Sequence, residues 1–363
     1  MRVVLEGEYR AWASLAHINR ALGAELAGDG ELDFVAVDLA APPDARVPLS
    51  PALASRLAEP ARAPRADIRI RHAWPPAFER RGETRFALCL PWEFGELPIA
   101  WRDAIAVGVD QVWAYSSYVR DVYARAGVPA EKIAVVPPGV DTNRLRAAGP
   151  KVDLAARGFR FLFLGGSTPR KGIDLAVNAF IHEFTRADDV TLVVKDASVL
   201  YPGGNVGAQI ARVAATETVA HVLYVDQLLG EDELAALYRS CDVLVAPYRG
   251  EGFGMPILEA MASGLPVIAT AGGASDDFVD DTVGIRIPAT RRGFPPEDEL
   301  PLVAEGWLLE PDLAALQAAL RRCYADRTLV RTLGTAAAER ARAWTWAHSA
   351  AAARAAITRL AAS

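Results

Sequence analysis

The chain has 363 residues, a length that suits two ordinary domains better than one. With 52% apolar and 8% aromatic residues it can bury two full cores, and its net charge of −6 argues against general nucleic-acid binding. No window approaches the roughly 20 apolar residues of a transmembrane segment, and Cys89, Cys241 and Cys323 lack metal-ligand spacing, so we expect a cytoplasmic protein with reduced thiols and no bound metal.

Residues 2–7 read as a strand that starts almost at Met1, with no signal peptide before it. Ser14 can cap a helix carrying Leu15, Ile18, Leu22 and Leu26 on one face. Residues 34–39 form a second strand and 67–72 a third. The third alternates, which is unusual for a strand covered on both sides, so Arg69 and Arg71 are expected at a sheet edge or in a polar cleft. The wider basic run of Arg62, Arg65, Arg69, Arg71, Arg80, Arg81 and Arg85 is offset by Asp67, Glu79 and Glu83. It reads as a solvated face, with an anionic acceptor or lipid surface as the alternative. Strands at 85–90, 111–115 and 133–136 and a helix at 117–126 complete a first parallel-sheet domain.

The segment 144–158 is charged and alanine-rich around Gly149-Pro150 and reads as a linker. The alternation then restarts, with strands at 159–164, 190–194, 222–225 and 242–246 and helices at 172–184, 206–215 and 231–240. We therefore expect an α/β fold of two doubly wound domains in tandem, facing each other across a ligand cleft beyond their strand C-termini. After a strand at 285–288, the segment 289–306 carries Gly293, Pro295 and Pro296 and reads as an irregular functional loop or mobile insert. Helices resume near Asp312 and Leu329, and Trp344-Thr345-Trp346 precedes a last amphipathic helix.

The stretch 249–269 reads as loop, helix, stop and strand. Gly252 and Gly254 permit backbone shapes that a Cβ forbids, Pro256 suits a first helical turn, and Gly264 with Pro266 ends the helix. Glu251 and Glu259 stand in otherwise apolar surroundings and need donors, which sugar and ribose hydroxyls can supply. A structural ion pair is the alternative for Glu259. Gly165-Gly166-Ser167-Thr168-Pro169-Arg170-Lys171-Gly172 joins a strand to a helix, and its hydroxyls and cations suit a phosphate. It lacks the Gly-Lys-Ser/Thr ending of a P-loop, and a solvated turn is its bland alternative. Lys195 and the pair Asp226 and Gln227 follow neighbouring strands on the same sheet edge. For Lys195 an ion pair with Asp196 is the alternative, and for Asp226 and Gln227 an ordinary loop. In the first half, His72 ends a strand before Trp74-Pro75-Pro76, Trp92 and Glu93 lie on the next such loop, and Tyr9 follows the first strand. These are candidate acceptor contacts. The alternatives are a structural histidine and a packed tryptophan with a surface glutamate.

Together these residues resemble the family 4 retaining glycosyltransferases, which have the GT-B fold. The run from Glu251 through Glu259 to Thr270 is similar to the family's E-x7-E element. Arg170-Lys171-Gly172-Ile173-Asp174 resembles its Arg/Lys-Lys-Gly element, and Val135-Val136-Pro137-Pro138-Gly139-Val140-Asp141 resembles the segment before its linker. The resemblance implies an acceptor domain at 1–148, a nucleotide-sugar donor domain at 149–345, and a terminal helix at 346–363 that packs back on the first domain. It implies a nucleoside-diphosphate sugar as co-substrate, no metal, and hexosyl transfer with retention to a hydroxyl or amine of a glycan, lipid or small molecule. Arg170 or Lys171 would neutralise the diphosphate, and Glu259 would bind the ribose. Glu251 would contact the sugar, with the backbone N–H groups of Phe253, Gly254 and Met255 around it. Gly166 and Ser167 would complete the phosphate turn, and His72 and Glu93 would act on the acceptor side. Many members have Gly-Arg where this chain has Gly165-Gly166, and Lys195 would take over that role. Two alternatives remain: a nucleotide-sugar epimerase or hydrolase of the same fold, and a non-catalytic binding module.

Overall fold

We describe the protein from a computed structural model covering residues 1–39, 47–196, 206–216, 218–293 and 306–363. Two compact units emerge among these residues. One combines Met1–Gly139 with Thr345–Ser363, and the other combines Val140–Glu297 with Trp307–Trp344.

The first unit contains strands β1 (Arg2–Gly7), β2 (Asp33–Asp38), β3 (Leu57–Ala58), β4 (Ile68–His72), β5 (Arg85–Cys89), β6 (Gln111–Ala114) and β7 (Ile133–Val135). They form one parallel sheet in the order β3-β2-β1-β4-β5-β6-β7. Helices α1 (Ser14–Ala27), α2 (Pro51–Ala54), α3 (Ile99–Gly108) and α4 (Ser117–Arg125) provide connections. The sheet winds in opposite directions from β1 and β4, which makes their junction the switch point where such sheets open a crevice.

The second unit contains β8 (Phe159–Leu164), β9 (Val190–Lys195), β10 (His221–Val225), β11 (Val243–Ala246), β12 (Val267–Thr270) and β13 (Gly284–Ile287), all parallel, in the order β10-β9-β8-β11-β12-β13. Its helices are α5 (Ile173–Glu183), α6 (Val206–Ala214), α7 (Glu231–Arg239), α8 (Met255–Ala262), α9 (Leu313–Ala325) and α10 (Arg327–Ala341). The strands are near-continuous apolar runs because both faces are covered. Phe161, Phe163, Phe180 and Leu192 lie at the centre of the core, each burial being worth roughly 1.5–3 kcal/mol.

Two expectations are corrected here. Residues 289 and onward are not irregular at their ends: β14 (Ala289–Gly293) pairs antiparallel with β15 (Trp307–Pro311). The part of that segment at 294–305 lies outside the described residues. The second correction concerns Arg69 and Arg71, which are at neither an edge nor an open cleft. Strand β4 is internal to the sheet, and both arginines are buried with Glu6 and Glu83. Arg69 pairs with Glu6 and, at 3.2 Å, with Glu83, while Arg71 Nε donates to Glu6 at 3.0 Å. The alternation marks a buried ion cluster, because a charge inside a sheet domain must be partnered.

The last helix, α11 (Trp346–Ala362), belongs to the first unit. Thr345 caps it by accepting from His348 N at 3.3 Å. Ala350, Ala353 and Ala356 are buried, and Gln111 Nε2 donates to Ala356 O at 3.3 Å. Gly139 has to be glycine here, since a Cβ would lie 2.4 Å from Trp346 N.

Candidate functional site

In the second unit, β8 and β11 are adjacent at the point where the winding reverses. The loops leaving their C-terminal ends are the Gly165–Gly172 turn and the stretch from Pro247 to Gly254, which sequence reasoning singled out separately. Their union rests on close backbone approach. Gly172 has φ 72°, and a Cβ there would meet Pro247 O at 2.0 Å. The N–H groups of Arg249 and Gly250 both donate to Arg170 O, at 2.7 and 3.1 Å. Gly254 has φ 92° and starts α8, with Pro256 in its first turn. The loop that carries Glu251 therefore leads into the positive end of the α8 dipole.

Charged groups gather on this edge. Lys171 Nζ donates to Glu251 Oε1, and Arg170 Nη1 lies 3.8 Å from Glu251 Oε2. Lys195, at the end of β9, is buried and donates to the Asp196 carbonyl. Burial pulls its pKa below the usual lysine value, against the opposing charges of Asp196 and Asp226. The Asp196 carboxylate favours the charged form of Lys195. It accepts from Ser167 Oγ and from Tyr224 OH at 2.9 Å. Asp226 and Gln227 are exposed after β10, at the sheet's outer strand. Glu259, in the second turn of α8, accepts from Tyr238 OH at 2.8 Å. The Phe253 side chain is core, packed on Phe278 and Trp344 with centroids 5.1 and 6.0 Å away. Only its main chain can serve a ligand.

Arg249 was given no role from sequence. It is buried, with all five N–H donors engaged. Nη1 and Nη2 meet the Asp174 carboxylate at 2.8 and 2.7 Å, Nε and Nη2 meet Glu310 at 2.7 and 3.1 Å, and Nη1 also reaches Pro169 O at 2.9 Å. Burial opposes its charge, but the hydrogen bonds of Asp174 and Glu310 outweigh this and raise its pKa. The available signal was a cation directly after a buried strand, which requires a buried partner.

Comparison with known proteins fits this arrangement. The model of "Glycosyl transferases group 1" matches residues 158–326, and that of "Glycosyltransferase Family 4" matches residues 27–144. The chain belongs to glycosyltransferase family 4. Among relatives of this family, it is 31% identical over 239 residues to a D-inositol 3-phosphate glycosyltransferase of Streptomyces bingchenggensis, covering 62% of this chain and 47% of that one. It is 34% identical over 197 residues to a GDP-mannose-dependent alpha-(1-6)-phosphatidylinositol monomannoside mannosyltransferase of Mycobacterium tuberculosis, covering 50% of this chain and 49% of that one. The matches thus span about half the length of these curated relatives. Among solved structures, sucrose-phosphate synthase from Thermosynechococcus elongatus matches with TM-score 0.72 at 19% identity, covering 100% of both chains. HepE of Anabaena, solved with UDP and glucose, matches with TM-score 0.70 at 14% identity, covering 99% of this chain and 100% of that one. These structural likenesses establish the GT-B fold.

In this family 4 chain, the first unit corrects several acceptor expectations. Tyr9 is wholly buried and its hydroxyl donates to Leu5 O at 2.9 Å, so it is core and not a ligand contact. Trp92 is also buried, its Nε1 donating to Glu96 O at 2.8 Å and its ring packed on Phe94 and Trp101, each 5.1 Å away. It offers no open face to a sugar. His72 is buried with both ring nitrogens engaged, Nδ1 with Asn19 Oδ1 at 2.6 Å and Nε2 with Tyr115 OH. Burial lowers its pKa to about 3, so it is neutral and structural here, with no nitrogen left for a substrate. Glu93 alone of this group is partly exposed. Among the described residues, no helix is long and apolar enough to cross a membrane.

Proposed function

We propose that the chain transfers a sugar from a nucleoside diphosphate to an acceptor hydroxyl or amine, with retention of anomeric configuration. The observation that carries this reading is the meeting of Arg170, Lys171 and Glu251 at the β8–β11 switch point, with Glu259 on α8, the helix that follows the Glu251 loop. The family's named relatives are glycosyltransferases, and HepE was solved with UDP and glucose. They lend no support to an epimerase, a hydrolase or a binding module.

Arg170, Lys171 and Lys195 hold the diphosphate, with Gly166 and Ser167 lining the turn. Glu259 accepts from the ribose hydroxyls, and Tyr238 fixes one of its oxygens. Glu251 leaves Lys171 in part to accept from the sugar, while the main chain of Gly252, Phe253, Gly254 and Met255 surrounds it. Asp226 and Gln227 meet the base. When the anomeric C–O bond breaks, its electron pair goes to the diphosphate, where the cations and the α8 dipole stabilise the charge. The acceptor oxygen or nitrogen forms the new bond, and its proton passes to the departing phosphate oxygen. Glu93 is the acceptor-side carboxylate. The cations take the role of a divalent metal, and a reducing cytoplasmic compartment suits three buried free cysteines.

The test is turnover of a panel of nucleotide sugars with mixed acceptors, followed by NMR of the product's anomeric proton, with and without EDTA. We expect a retained product, no loss with EDTA, and at least about a tenfold loss in Lys171→Ala, as for removal of one charge-stabilising donor. An inverted product, or full turnover by Lys171→Ala, would overturn the assignment.

A further inference from the structure

The strongest unassigned feature in the molecule is the Arg249 staple. Three separate segments converge on this one guanidinium: the Pro169–Lys171 turn through Pro169 O, the start of α5 through Asp174, and the β14–β15 hairpin through Glu310. The main chain repeats the pattern. Arg249 N donates to Arg170 O at 2.7 Å, and Leu309 N donates to Arg249 O at 2.9 Å. Glu310 also receives Arg292 Nη1 at 3.0 Å, so both strands of the hairpin are tied to the staple. Arg249 touches neither Lys171 nor Glu251 in these bonds, yet it lies two residues from Glu251 and grips the turn that carries Lys171.

We infer that Arg249 is the positioning residue of the donor site, setting the Arg170-Lys171 turn against Glu251 and making the β14–β15 hairpin part of the site's support. This rests on the donor-site reading given above. The geometry explains why arginine is needed. Two carboxylates and a carbonyl are satisfied at once by a planar fork, and a lysine offers three donors from a single point. Loosening the staple lets the turn drift, and Lys171 then meets the diphosphate less often.

A structural role and a positioning role separate in a double-mutant cycle. Wild type, Arg249→Lys, Glu310→Gln, Lys171→Ala and Arg249→Lys/Lys171→Ala are titrated calorimetrically with UDP and GDP, and the thermal midpoint of each ligand-free protein is recorded. We expect Arg249→Lys to weaken binding of the accepted nucleotide by about tenfold, and Glu310→Gln by less, since the Asp174 pair stays intact. In the Lys171→Ala background, Arg249→Lys should cause no further loss, because the cation it positions is gone. Additive losses, or unchanged affinity with only a lowered midpoint, would overturn the inference and leave Arg249 as a structural staple. If wild type binds neither nucleotide, the donor-site reading fails and the inference falls with it.

Discussion

The His72 imidazole is enclosed on every side that matters for its charge. Asn19 and Tyr115 take its nitrogens, and Cys89 lines the same small cavity. Its pKa of about 3 in the folded chain, against 6.5 for an ordinary histidine, has a thermodynamic consequence. Between these values the unfolded chain binds a proton that native His72 does not. Stability is therefore complete above pH 6.5 and falls as pH drops toward 3, by up to about 1.4 kcal/mol per pH unit. Denaturant unfolding of wild type and His72→Gln across this window measures the effect. The variant should show a shallower slope, and identical slopes would contradict the burial of a neutral His72. The sequence showed a histidine at a strand end but not its partners, since Asn19 and Tyr115 are brought to it by folding. The same limit explains Trp92. Its ring is covered by Trp101 of α3, a contact that the fold makes between separate segments and that no local pattern encodes. It is Trp74, not Trp92, that remains exposed.

At the level of elements, the two loops of the candidate donor site were legible because they depend on local chemistry. Glycine is needed at Gly254 for φ 92° and proline is suited to the first turn of α8. The contact between the loops was not legible, because it needs β8 and β11 to be neighbours although two strands separate them in the chain. Gly172 measures the tightness of that contact. Gly172→Ala combines a positive φ with a Cβ placed 2.0 Å from Pro247 O, whereas Gly272 has φ 81° with open space around it. Gly272→Ala should cost about 1 kcal/mol for the left-handed backbone alone, and Gly172→Ala clearly more. Chemical denaturation of both variants provides the comparison, and equal losses would mean that the loops do not press together as described. The hairpin β14–β15 escaped detection because its strands are joined through a segment rich in proline and glycine, a composition that signals loop rather than strand.

Across the whole molecule, the class of fold followed from alternating strands and helices, which require parallel sheets. The strand order did not, since nothing local reveals that β1 lies beside β4. Nor did the buried charges of Glu6, Arg69, Arg71 and Glu83, whose alternation imitates an exposed strand. The account as a whole rests on one placement: a nucleoside diphosphate across the strand ends of the second sheet, its ribose at Glu259 and its phosphates at Arg170 and Lys171. The direct test is calorimetric titration of wild type and Glu259→Ala with UDP, GDP and inorganic pyrophosphate. The account predicts that Glu259→Ala loses about tenfold in affinity for the accepted nucleotide, and binds pyrophosphate as wild type does. Unchanged nucleotide affinity in Glu259→Ala would contradict it.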